Sequence, residues 1–90
     1  MDENLVLKNI NEEAVGMLLD QVIAEVEGCN CQRCRLDASA LALNDLPPRY
    51  VVTGFGELME SVSCYEAQNH LDIYHAVLRA VLRVKANPRH

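Results

Sequence analysis

The chain has 90 residues, 50% of them apolar and 23% charged, a globular composition that fits a single domain over residues 1–90. Eight basic against thirteen acidic side chains leave a net charge of −5, which argues against a protein that coats DNA or RNA duplexes, because that work needs a net basic face. No apolar run approaches the ~20 residues of a membrane span. The start, Met1-Asp2-Glu3-Asn4, lacks the basic flank and apolar stretch of a signal peptide, so the expected compartment is the cytoplasm.

Ile10, Ala14, Leu18, Val22 and Val26 recur every fourth residue, flanked by Val15, Leu19 and Ile23, which predicts an amphipathic helix over 10–27. Asn9 and Glu12 read as a capping box at its start and Gly28 as its stop. Residues 29–34 read as a tight loop or helical turn. A shorter helix is expected over 35–44, carrying Leu36, Ala40 and Leu43, with Pro47 and Pro48 ending it. The β-branched and aromatic run 50–53 predicts a strand, Gly54-Phe55-Gly56 a turn, and 57–62 a second strand completing a hairpin. Ser63 and Glu66 read as another capping box, followed by a long helix over 64–85. Its stripe is Leu71, Tyr74, Leu78 and Val81 or Leu82, widened by Val77, Ala80 and Val84, and Asn87-Pro88 ends it. The expected fold is α/β of the α+β kind: one small domain of about three helices, a short β-hairpin and a cysteine-rich metal knot.

With no Trp, one Phe and three Tyr, the core must come from Leu, Val, Ile and Ala. A domain this small buries only roughly 60–65% of its unfolded surface, so a metal or a second subunit would help to hold it. Cys29, Cys31 and Cys34 form C-x-C-x-x-C, and thiolates this close can converge on one tetrahedral ion with Zn–S of ~2.3 Å. Cys64 is the other cysteine in the sequence and the expected fourth ligand, with a ligand from a second subunit or a carboxylate such as Asp37 as alternatives. Cys31 and Cys34 also have redox spacing, but the strand–helix context of a thioredoxin-like site is absent. His70 and His75 are five apart and point to different helix faces; with His90 they read as surface or boundary histidines. There is no Walker loop, no G-x-S-x-G and no H-E-x-x-H, so no enzyme is expected.

The knot Cys29-x-Cys31-x-x-Cys34-x-x-Asp37, followed by Ala40-Leu41-Ala42-Leu43-Asn44 and Leu46-Pro47-Pro48-Arg49-Tyr50, resembles the late-competence ComFB family. The resemblance implies a small α/β subunit, a symmetric homodimer and zinc held by the clustered cysteines. Cys64 lies outside the family pattern. The resemblance also implies a receptor for cyclic di-GMP, acting through an unidentified protein partner in competence or motility. The stretches associated with that ligand read here Lys8-Asn9-x-x-Glu12, Leu46-Pro47-Pro48-Arg49-Tyr50 and Thr53-x-x-Gly56-Glu57.

Cyclic di-GMP offers two phosphates and two guanines. Lys8 could neutralise a phosphate, and the amides at the start of the first helix could donate hydrogen bonds to it. Arg49 or Arg79 could pair with guanine O6 and N7 or stack on its face. Glu12 could accept from guanine N1–H and N2–H, Tyr50 could stack, and Thr53 offers a hydroxyl. Each has a plainer reading: Asn9 and Glu12 as a helix cap, Pro47 and Pro48 as a helix stop, Tyr50 as a core residue and Arg79 as a solvated face. The alternative function is a zinc-binding structural or adaptor protein of the competence machinery with no nucleotide ligand.

Overall fold

The four-residue apolar repeat folds as helix α1 (Ile10–Glu25) of a computed structural model that describes residues 5–89. The readings made above for residues 1–4 and for His90 lie outside the described residues. Ile10, Ala14, Val15, Leu18, Leu19, Val22 and Ile23 are all buried, the face that the periodicity marks. Asn9 is the N-cap, its Oδ1 accepting from the Asn11 amide at 3.2 Å. At the other end the Gly28 amide bonds to the Ile23 carbonyl at 2.9 Å and the Glu27 amide to the Ala24 carbonyl at 3.3 Å. These two bonds form a Schellman motif. Its left-handed position is occupied by Glu27, with φ 55°, and not by the glycine beside it. Gly28 has its own reason to be small: a Cβ there would stand 3.3 Å from Val81 Cγ1.

Helix α2 (Gln32–Asp45) begins three residues before the expected start, because Cys31 serves as its N-cap. It buries Cys34, Ala38 and Ala42, while Leu36 is exposed. Small side chains on the inner face let α2 lie close against α1 and against the last helix, α4 (His70–Ala86). Arg35 pairs with Asp20 of α1, and Tyr74 of α4 donates its hydroxyl hydrogen to Glu25 Oε1 at 2.7 Å. The core runs between these three helices.

The hairpin expected over 50–62 is not formed. Strand β2 (Tyr50–Gly54) pairs antiparallel with strand β1 (Leu5–Asn9), in the register Leu5↔Gly54, Leu7↔Val52 and Asn9↔Tyr50. After β2 the chain makes a 3₁₀ turn at Phe55–Glu57 and enters helix α3 (Leu58–Gln68). Leu58, Ser61, Val62 and Tyr65 are its less exposed positions up to Tyr65, a spacing of three and four that suits a helix and not a strand. Ser63 and Glu66 therefore fall inside α3 and cap nothing.

The single helix expected over 64–85 is divided at Asn69. The Asn69 backbone amide and side-chain Nδ2 both donate to the Tyr65 carbonyl, each at 3.0 Å. A side chain competing for a helical carbonyl in this way breaks the regular ladder. The buried stripe of α4 is Ile73, Ala76, Val77, Ala80, Val81 and Val84; Leu71 and Leu82 are exposed, so the face lies partly round from the expected one. The fold class stands as α+β, with four helices and a two-stranded ribbon among the described residues.

Antiparallel partners share a face, so Leu5, Leu7, Tyr50 and Val52 project together. All four are exposed, Leu7 at 69% and Val52 at 66%, with Phe55 and Met59 exposed just beyond. The radius of gyration is 13.9 Å. Roughly 12 Å is usual for a chain of this length. The molecule is elongated, 48 × 25 × 21 Å.

Glu27→Gly removes a side chain from a left-handed backbone position. It is expected to raise the unfolding free energy by about 0.5–1 kcal/mol, measured by urea denaturation. A loss of stability would mean that the Glu27 side chain contributes more than its backbone conformation costs.

Candidate functional site

The turn that joins α1 to α2 carries the three clustered cysteines. Their sulfurs all lie within 4.8 Å of one another. Cys29 and Cys31 are exposed and Cys34 is buried, so the cluster has a floor and an open rim. Cys31 Sγ accepts from the Cys34 amide at 3.4 Å. That amide, and then the Cys29 side chain, hold the Cys31 thiol below its ordinary value. Burial pushes the Cys34 thiol up to about 12, with hydrogen bonds to Cys29 and Cys31 adding to the effect. One thiol is thus disposed to ionise, and the buried one stays protonated until a cation lowers its cost.

The donor set fits zinc. At ~2.3 Å per bond, tetrahedral geometry needs sulfurs about 3.8 Å apart, within reach of this cluster by small side-chain rotations. Cys29, Cys31 and Cys34 would hold such an ion, which would tie the end of α1 to the start of α2. Cys64 does not join them. It lies on α3, in a depression shared with Ile10 at the start of α1. The cluster shares a small cleft with Ile23, towards the end of α1. From Ile10 to Ile23 is about 20 Å of helix. Cys64 could be the fourth ligand only if the helical turn and the chain around Cys64 were neighbours; they stand at opposite ends of α1.

A second feature lies at the Pro47–Arg49 segment. A groove of about 430 Å³ opens between this segment, α3 and α4, with Pro48, Arg49, Tyr65, His75 and Arg79 among its walls. The Arg49 backbone is held at both ends: its amide donates to Asn9 Oδ1 at 3.1 Å and its carbonyl accepts from the Ile10 amide at 2.8 Å. Its guanidinium carbon stands 5.5 Å from the centre of the Tyr65 ring. Arg79 gives Nε and Nη2 to one oxygen of Asp45, at 3.2 and 2.5 Å, leaving three of its five N–H donors.

Of the residues read from the sequence as ligand contacts, Pro48, Arg49 and Arg79 meet in this groove. Lys8, Asn9, Glu12, Tyr50 and Thr53 do not line it. Lys8 Nζ lies 3.7 Å from Glu12 and 3.4 Å from Glu13, so its charge is already answered by two carboxylates. Asn9 caps α1, and Tyr50 and Thr53 stand on β2 opposite Asn9 and Val6.

Tyr65, His75 and Asn11 were missed. Asn11 is 1% exposed, its Nδ2 donating to the Pro47 carbonyl at 2.8 Å and its Oδ1 accepting from the Tyr65 hydroxyl at 2.6 Å. A polar residue one position past a helix cap gives little sign in the sequence that it will be buried.

A four-helix α+β domain with a ribbon built from distant strands, and a thiol cluster on its first helix–helix turn, defines the class of fold; no described helix is long and apolar enough to cross a membrane. The family model for the late competence development protein ComFB matches residues 8–88. The solved structure of the late competence protein ComFB from Bacillus subtilis superposes with a TM-score of 0.77 at 27% identity, over 92% of this chain and 94% of that one. A comparison with curated proteins gives no match. The chain belongs to the ComFB family.

Replacing Cys29, Cys31 or Cys34 by Ser should each lower bound zinc, read by elemental analysis. Stripping the metal should lower the melting temperature by at least about 5 °C, the shift that ~1 kcal/mol gives in so small a domain. Asn11→Leu strands the Pro47 carbonyl and the Tyr65 hydroxyl and should cost about 2–4 kcal/mol by chemical denaturation. A cost below about 1 kcal/mol would show that both groups find water instead.

Proposed function

We propose that this chain is a zinc-stabilised, homodimeric, non-enzymatic receptor of the cytoplasm that binds cyclic di-GMP and passes its state to a protein partner in competence or motility. The observation that supports the ligand is the groove at Arg49 and Arg79. Its volume, about 430 Å³, is that of a small-molecule site. It sets two guanidinium groups, an aromatic ring and a histidine around one opening, together with Asp72 and with Asp45, which pairs with Arg79. Guanidinium groups pair bidentately with phosphate or with guanine O6 and N7, and Arg49 reaches the groove from a backbone fixed by Asn9 and Ile10. The route from Lys8 to a phosphate is not part of this reading, because Glu12 and Glu13 already face that ammonium.

The ribbon supports the dimer. An isolated two-stranded ribbon is marginal in water, and this one turns Leu5, Leu7, Tyr50 and Val52 outward on one face. A second copy pairing through that face would bury it. The same surface favours the alternative reading, an adaptor with a protein partner and no nucleotide.

Calorimetric titration of zinc-replete protein with cyclic di-GMP should give micromolar or tighter binding. Arg49→Ala should weaken it at least about tenfold, the effect of one good charged contact, without changing the melting temperature. Binding that is unchanged in Arg49→Ala removes the groove from the ligand site, and no binding at all leaves the adaptor reading. Leu7→Lys, which puts a charge on the exposed face, should shift the sedimentation coefficient from dimer to monomer. A wild-type monomer would end the dimer proposal.

A further inference from the structure

Beyond the groove at Arg49, two clefts lie between α2 and α4. One, of about 340 Å³, has Asp45 and Arg79 on its walls. The other, of about 530 Å³, has Asp37 and Arg89. Leu41, Asn44 and Arg83 line both, so the two form one open trough with Arg83 at its centre. The small side chains of Ala40, Ala76 and Ala80 keep it open. Between Ala76 and Asn87 it follows α4 for roughly 16 Å. Three arginines against two aspartates leave one positive charge in excess on this surface of an acidic chain. Both aspartates already face arginines. Asp45 lies 2.5 Å from Arg79 Nη2, and Asp37 lies 3.1 Å from Arg33 Nε and 4.0 Å from Arg89 Nη1. Among the described residues Arg83 enters no ion pair. The excess charge therefore rests on the guanidinium that both clefts share.

We propose that this trough docks an acidic segment of a protein partner, bound extended with carboxylates at alternate positions, and that Arg83 anchors it. The spacing supports this occupant. Arg79 and Arg83 are four apart on α4, which sets their Cβ atoms about 5–6 Å apart on one face. Alternate side chains of an extended chain point the same way about every 6.6 Å, so two carboxylates in that pattern meet both arginines. Arg79 still has three N–H donors to give after its bonds to Asp45. The side-chain amides of Asn44 and Asn87 line the walls, and each can donate to and accept from a peptide backbone. A nucleic-acid strand fits less well. Among the described residues no aromatic ring lines either cleft to stack on a base, and Asp37 and Asp45 would face the phosphates. The inference goes beyond the nucleotide reading, since Arg83 does not line the groove at Arg49.

The test uses the full chain and a rhodamine-labelled hexapeptide of alternating glutamate and alanine, followed by fluorescence anisotropy at low ionic strength. Saturable binding is expected, weaker as salt is added. A hexapeptide with its three glutamates in succession should bind more weakly, and one with lysine in place of glutamate should not bind. Arg83→Ala should lower the affinity at least about tenfold, the effect of one good charged contact. Its melting temperature should hold, because alanine suits an exposed helix position. Ala24→Glu lowers the net charge by the same amount on the exposed side of α1 and should bind like the parent. Affinity for cyclic di-GMP should be the same in Arg83→Ala as in the parent, so this proposal and the nucleotide reading fail separately. The proposal is overturned if the alternating peptide does not bind, if Arg83→Ala binds it as well as the parent, or if Ala24→Glu loses as much. It is also overturned if a single-stranded oligonucleotide binds more tightly than the peptide, or if Arg83→Ala changes the sedimentation coefficient, which would assign the trough to a second copy of the chain.

Discussion

The position of the Pro47–Arg49 segment depends on two asparagines at the start of α1. Asn9 accepts from the Arg49 amide and Asn11 donates to the Pro47 carbonyl, so the chain leaving α2 is fastened on both sides of Pro48. Prolines have no amide of their own to offer, and this segment contains two in succession. The segment lies in neither a helix nor a strand, so its carbonyls find donors outside the regular ladders. Asn11 meets that need from a buried position and uses its remaining oxygen on the Tyr65 hydroxyl. One side chain thus joins α1, the proline segment and α3. The groove wall, the direction of β2 and the placing of Tyr65 beneath Arg49 all follow from it.

The opposite end of α1 is organised by sulfur. The core between α1, α2 and α4 is made of Ala, Val, Leu and Ile with Cys34 among them, and α2 contributes only small side chains to it. A helix that buries Cys34, Ala38 and Ala42 gains close approach but little apolar area. A metal bridging the α1–α2 turn would supply what that thin contact lacks. The two ends of α1 thus rest on different physics: a hydrogen-bonded pin beside the groove and a thiolate cluster at the turn.

The sequence shows α1 well because eight apolar residues repeat at helical spacing, and it shows the cluster because three cysteines fall within six positions. It misleads over 57–62. Gly54-Phe55-Gly56 looks like a hairpin turn, yet the partner of β2 lies before α1, in a strand that no local turn signal connects to it. Leu71 and Leu82 look like core by size, whereas the close packing of α2 selects the Ala and Val stripe of α4. Arg49 was readable as a ligand candidate because it lies within the Leu46–Tyr50 stretch, and Arg79 only through the chemistry of its guanidinium group. Tyr65 was not, since its place beside the groove comes from a bond to Asn11 across 54 positions, and no local pattern encodes such a pairing.

The pairing of β1 with β2 also governs the order in which the chain can fold. Asn9 meets Tyr50 only after everything between them has been brought round, whereas a local hairpin would close in microseconds. The closure entropy of so long a loop rises with the logarithm of its length, so the ribbon is disfavoured until α1 and α2 have docked and shortened the loop. The cysteine turn sits near the middle of that loop. Gathering it into a compact α1–α2 pair first, with or without metal, brings the two strand ends together. The ribbon is then expected to form last and to open first, its exposed apolar face coming into being on an otherwise finished molecule.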